Sequence, residues 1–229
     1  MIKAIFFDFN GVIIDDETIQ MKAYQEILRG HQIDLTEEWY FSALGMDDRT
    51  FVKAMFERAK KPLTAPVLET VLGAKIDLHR QMISDELPLF PGVLTFLKAA
   101  SRHFSIGLVS MADKAEISYV FQRANLTPLF SVIVTAEDAS MCKPAPECYL
   151  AGLTKLNEKR QHERLLPLLA NECLAIEDSP PGIESARAAG MRTLGVTNTV
   201  PAEALRAAGA EVVTASLADW TVDAVKRLY

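Results

Sequence analysis

The first apolar run of the chain is short and nearly unbroken: residues 2–7 are mostly aliphatic or aromatic, and the run stops on Asp8. Such a run predicts a strand buried on both faces. Helical spacing follows over 16–30, where Ile19, Ala23 and Ile27 share one side. Thr36 followed by Glu37 and Glu38 predicts a second helix start. The hydroxyl can accept from the free N–H groups, and the acidic pair suits the positive end of the helix dipole. Trp39 stands where a capping box would need Glu or Gln. Further helices are expected over 48–58 and 66–87, with Lys60-Lys61-Pro62 as the loop between them. No stretch from 16 to 87 reads as a strand.

The texture changes at Pro91-Gly92, a break that opens a helix through 103. Beyond it, strands at 105–109, 132–135, 173–176, 193–196 and 211–213 alternate with helices at 114–124, 147–156, 183–189, 202–208 and from 218 onward. The polar residues 157–164 interrupt this rhythm, and 157–171 are expected to form a surface excursion. Strands alternating with helices imply a parallel sheet covered on both faces, a doubly wound, Rossmann-like α/β fold. Its first strand precedes the all-helical stretch, so that stretch is an insertion. The expected division is a core of 1–15 and 90–229 carrying a helical cap of 16–89.

Composition narrows the partners. At 229 residues, 49% of them hydrophobic, the chain can bury a sizeable core. A net charge of −6 gives neither nucleic acid nor an anionic membrane a basic surface to bind, so the expected ligand is a small molecule. Cys142, Cys148 and Cys173 lack any paired metal-ligand spacing and are expected to be reduced thiols. Asp8 breaks the N-terminal apolar run, so no signal peptide is expected, and no run reaches the roughly 18 apolar residues of a membrane span. The expectation is a cytoplasmic protein, a monomer or weak homodimer. His31, His79, His103 and His162 show no ligand spacing and are assigned to surface or packing roles.

Ligands of open α/β sheets gather at the carboxyl ends of the strands. There the first strand offers Asp8 and Asn10, the second Ser110, the third Lys143 after a short loop, and the fourth Glu177 and Asp178. Each has a plainer reading. Asn10-Gly11 is also a hairpin signal, Glu177-Asp178 suits a helix start, Ser110 can simply end a strand, and Lys143 can be a surface lysine. Together they have one coherent use. Asp8, Glu177, Asp178 and a backbone carbonyl are the hard oxygen ligands that Mg2+ takes, while Ser110, Lys143 and the amides of Met111 and Ala112 suit phosphoryl oxygens.

Four segments in order, FFDFNGVIIDDE, LVS, KPAPECY and IEDSPPGIESARAAGM, resemble the motifs of the haloacid dehalogenase-like hydrolases, in the branch of β-phosphoglucomutases and sugar-phosphate phosphatases. The resemblance implies a Mg2+-dependent phosphatase or phosphohexomutase acting on a small phosphorylated metabolite. Asp8 would be the nucleophile that forms an aspartyl-phosphate. Its second oxygen, the backbone carbonyl of Asn10 and the carboxylate of Asp178 would hold Mg2+, with Glu177 ligating directly or through water. Ser110 and Lys143 would grip the phosphoryl group, and the cap would close over the substrate, with Arg49 and Lys75 as its candidate substrate contacts.

Position 10 departs from that pattern. The family's phosphatases and mutases carry an aspartate there as general acid and base, and asparagine cannot exchange a proton. Losing such a group removes a factor of roughly 10^2 to 10^4 in rate. Asn10 fits an engineered substitution, a natural enzyme whose leaving group needs little help, or a natural protein that binds phosphate esters with slow or no hydrolysis. Asp15, Asp16 and Glu17 lie close by, but the chain turns into the cap there, and none is expected to replace the missing acid. A dehalogenase would tolerate Asn10 yet has no use for the Glu177-Asp178 pair.

Overall fold

The computed structural model describes residues 1–229. Six parallel strands form one sheet in the order β3-β2-β1-β4-β5-β6. They are β1 (Ala4–Phe7), β2 (Ser105–Val109), β3 (Val132–Val134), β4 (Cys173–Glu177), β5 (Arg192–Val196) and β6 (Val212–Thr214). β1 is central, between β2 and β4, and is wholly buried. Its side chains alternate as a pleat demands. Ile5 and Phe7 enter the larger apolar cluster on one face, and Ala4 and Phe6 the smaller cluster on the other. Strand order departs in both directions from β1, so a crevice opens at its carboxyl end.

Four helices follow β1: α1 (Glu17–Arg29), α2 (Glu37–Phe41), α3 (Asp48–Arg58) and α4 (Ala65–Met82). Thr36 caps α2 by accepting from the Trp39 N–H at 3.2 Å. These helices enclose their own apolar cluster, with Tyr24 against Phe51 at 4.4 Å between ring centroids and Leu28, Val52 and Val71 around them. The segment enters and leaves the sheet domain side by side. Asp15 N–H donates to the Pro88 carbonyl at 2.6 Å, and Phe90 N–H donates to the Ile13 carbonyl at 3.1 Å.

The remaining helices are α5 (Val93–Ala100), α6 (Lys114–Ala124), α7 (Glu147–His162), α8 (Pro180–Ala188), α9 (Ala202–Ala207) and α10 (Val222–Leu228). Several helices depart from the expected bounds: α5 ends at Ala100, short of 103, and α10 begins at Val222, later than 218. α7 runs straight through the polar residues 157–162, because nothing there breaks a helix and their charged side chains are solvated on its outer face. α4 ends at Met82, earlier than expected. α8 starts at Pro180, where proline's missing N–H costs nothing, with Ser179 as its cap. No helix is long and apolar enough to cross a membrane.

Candidate active site

The crevice at the end of β1 gathers side chains from five separated segments. Asp8 is fixed by its own N–H, which donates to the Ile176 carbonyl at 3.0 Å. The chain then turns tightly, with the N–H groups of Val12, Ile13 and Ile14 all directed at the Phe9 carbonyl. Gly11 holds φ at +73°, and a β-carbon there would run into the Asp178 carboxylate. Asn198 braces the turn from the loop after β5, donating to the Gly11 carbonyl at 2.7 Å.

Lys143 reaches in from the loop between β3 and α7. Its ammonium lies 2.9 Å from Asp8 Oδ1 and 2.6 Å from Glu177 Oε1 and is almost wholly buried. Burial alone lowers a lysine pKa, but Asp8 and Glu177 outweigh it and hold Lys143 protonated above its usual range. Tyr149 of α7 donates to the same Glu177 oxygen at 2.5 Å, and Thr199 donates to Asp178 Oδ2. Ser110 Oγ accepts from the Ala112 N–H at 3.0 Å, so that amide is occupied, while the Met111 amide has no acceptor within the chain.

Negative charge is in excess here. Ligand oxygens of Asp8, Glu177 and Asp178 all lie within 4.8 Å of one another, against one lysine. Burial, then the charge of Asp8, push Glu177 up to about 7, against the opposing pull of Lys143. Burial and both neighbouring carboxylates push Asp178 well above its ordinary range. Glu177 Oε2 is buried with no hydrogen-bond partner. Crowded hard oxygens, a surplus of charge and an orphaned lone pair fit a divalent cation.

Asn10 lines the same crevice, but its side chain is engaged elsewhere. Its side-chain amide donates to both oxygens of Asp16, at 2.9 and 3.1 Å. A carboxylate only accepts, so the amide nitrogen is the atom that must point there. Asp16 is fully buried and also accepts from Gln20 at 3.1 Å and from His79 Nε2 at 2.8 Å. His79 Nδ1 lies 3.3 Å from Glu116 of α6, and Glu116 and Asp48 hold Lys75 at 2.9 and 2.8 Å. A continuous buried chain of charges thus runs from the turn after β1, through the helical insertion, to α6.

Two other expectations from the sequence meet different fates. Lys75 lines the crevice, but its ammonium is already engaged. Arg49 lies outside it, exposed on α3 and paired with Glu69 of α4. On that helix Phe51, Val52 and Met55 face inward, which turns position 49 to solvent. His79, assigned to a surface or packing role, is a buried member of the charge chain. Its spacing of four from Lys75 placed both on one face of α4 and was the available signal. Tyr149, Thr199 and Tyr40 carried none. Glu17 also lines the crevice beside Asp8 and Asn10, which its place at the entry to the helical segment had argued against.

A family model for haloacid dehalogenase-like hydrolases matches residues 2–190. The chain belongs to this family. Among its curated relatives, YhcW of Bacillus subtilis is 33% identical over 203 residues, covering 87% of this chain and 86% of that protein. The phosphorylated carbohydrates phosphatase of Thermotoga maritima is 26% identical over 216 residues, covering 91% and 92%. A solved β-phosphoglucomutase from Clostridium difficile superposes with a TM-score of 0.86 over 100% of this chain and 97% of that one, at 24% identity, a likeness of fold. Enzymes of the haloacid dehalogenase-like family generally use a divalent metal, in keeping with the acidic cluster.

The raised carboxyl pKa values fix the sign of a pH effect. Glu177 and Glu17 titrate near 7 in the folded chain against an ordinary 4.5, and Asp178 is shifted the same way. Stability from such groups is fully present below about 4.5 and lost as pH rises through 7. Thermal unfolding in EDTA should show the melting temperature falling over that window, and a saturating divalent cation should remove much of the fall. Asn10→Asp would set a second carboxylate about 3 Å from Asp16, where two negative charges cannot both persist. Denaturant unfolding at pH 8 should show a loss of about 1–3 kcal/mol. Adding Asp16→Asn should recover part of it, a non-additive pair.

Proposed function

We propose that this protein is a Mg2+-dependent phosphatase that hydrolyses a small sugar phosphate through an aspartyl-phosphate on Asp8. The observation that carries this reading is the Asp8 carboxylate, paired with a buried lysine at the mouth of the crevice and bordered by Glu177 and Asp178. The name of the Thermotoga maritima relative, a phosphatase of phosphorylated carbohydrates, supports the substrate class. Phosphohexomutase action would use the same intermediate, with a sugar hydroxyl attacking it in place of water.

The roles follow from the chemistry of the donors. Asp8 attacks phosphorus in line with the departing ester oxygen. Lys143, the Ser110 hydroxyl and the free Met111 amide bind the phosphoryl oxygens and stabilise the charge that grows on them. Asp8, the Asn10 carbonyl and Asp178 would hold Mg2+, with Glu177 beside them; bound there, the ion supplies positive charge to those same oxygens. The helical insertion over the crevice keeps bulk water from the intermediate.

Halide displacement by Asp8 would leave the Glu177-Asp178 pair without use, and a pure binding protein would turn nothing over. With Mg2+ present, p-nitrophenyl phosphate should be hydrolysed, and Asp8→Asn should reduce the rate to background. Activity that survives this substitution contradicts an Asp8 nucleophile, and a wild-type protein that binds phosphate esters without releasing p-nitrophenol is a binding protein.

A further inference from the structure

An alkyl or sugar oxygen leaves as a poor alkoxide unless it is protonated, so a phosphatase for such esters needs a proton donor in the crevice. Asn10 cannot serve, and its amide is committed to Asp16. Asp16 is buried, engaged by three donors and absent from the crevice wall. Of the other titratable groups that line the crevice, Lys143 is held by Asp8 and Glu177, while Asp48 and Glu116 are both committed to Lys75, whose ammonium lies 2.8 and 2.9 Å from them. Asp178 belongs to the acidic cluster. Burial holds the phenols of Tyr24 and Tyr40 well above their ordinary range, which makes both poor proton donors.

Glu17 is left. It stands at the first turn of α1 and lines the same crevice as Asp8. The Tyr40 hydroxyl donates to its Oε2 at 2.7 Å and orients the carboxyl, while Oε1 has no partner within the chain. We propose that Glu17 is the proton-transfer group of this active site, relocated from position 10 to the first turn of the helical insertion. The proposal rests on the phosphatase reading above. As Asp8 bonds to phosphorus and the ester P–O bond breaks, the Glu17 proton passes to the departing oxygen. The resulting carboxylate then takes a proton from water as that oxygen bonds to phosphorus and the Asp8–phosphorus bond breaks. Phosphate leaves and Glu17 is again protonated, so one cycle consumes one water and one ester.

The surroundings suit both halves of that cycle. Burial first, then the charge of Asp16, raise the Glu17 pKa to about 7, against the hydrogen bond from Tyr40, with Asp8 adding to the rise and Lys75 opposing it. Glu17 in turn adds to the rise of Asp178, just past the end of β4. A carboxyl balanced near neutrality can both give and accept.

The test is a series of substituted phenyl phosphates, from p-nitrophenyl to unsubstituted phenyl, assayed with Mg2+ for kcat/KM. A good leaving group needs no proton and a poor one does. Glu17→Gln should lower kcat/KM on phenyl phosphate by roughly 10^2-fold or more and change that on p-nitrophenyl phosphate by less than about threefold. The second figure also shows that the variant is folded and that Asp8 still works. In the wild type, kcat/KM on phenyl phosphate should fall as pH rises through the Glu17 pKa; Tyr40→Phe should move that fall to higher pH, and Glu17→Gln should abolish it. An equal loss across the series, or an unchanged rate on phenyl phosphate, overturns the assignment. If the wild type and Asp8→Asn release p-nitrophenol alike, the phosphatase reading itself fails, and the role of Glu17 fails with it.

Discussion

A single ammonium group, that of Lys143, lies buried between Asp8 and Glu177, and much of the molecule can be understood as the means of keeping it there. Three carboxylates at the ends of two neighbouring buried strands, β1 and β4, would repel one another and pay heavily for lost hydration. Lys143 offsets part of that cost, Tyr149 and Thr199 satisfy further oxygens, and the remaining surplus of negative charge suits the cluster to a divalent cation. The sheet supplies the positions. β1 lies between β2 and β4, so Asp8, Ser110 and Glu177 leave the sheet side by side, while the loop after β3 brings in the lysine. Gly11 completes the arrangement, since any side chain there would occupy the place of the Asp178 carboxylate.

The second charged structure, from Asn10 through Asp16, His79 and Glu116 to Lys75 and Asp48, ties the helical insertion to the sheet domain. It gives position 10 a physical logic. Asparagine is the residue that can donate to a buried carboxylate at 16, whereas aspartate would add a charge to a site already crowded with them. Asn10 and Asp16 are therefore one feature. An amide at position 10 leaves the Asn10 backbone carbonyl available to the crevice, and Glu17, next to Asp16, faces the same crevice as Asp8.

The fold was largely legible in the sequence because buried parallel strands and amphipathic helices leave periodic marks, and α3 and β2 fall where the pattern put them. α7 did not, since a solvated helical turn and a polar loop have the same composition. Among site residues, those at strand ends were readable, since Asp8, Ser110 and the Glu177-Asp178 pair close apolar runs, and Lys143 stands in the KPAPECY segment that follows the third strand. Residues that arrive from helices were not. His79, Tyr149 and Tyr40 look like ordinary helical residues until the packing of their helices is known, and Glu17 was discounted because a sequence does not show that α1 begins over the crevice. Arg49 erred the other way, a basic residue whose helix turns it to solvent.

The central claim is that Asp8, held against Lys143, takes the phosphoryl group. The most direct measurement is a rapid quench of the Mg2+-loaded protein with a phosphoryl donor, followed by borohydride reduction of any acyl phosphate and peptide mass analysis. The account predicts reduction of Asp8 to homoserine, in wild-type protein and not in Asp8→Asn. Turnover with no trapped acyl phosphate, or a label on any other residue, would contradict it.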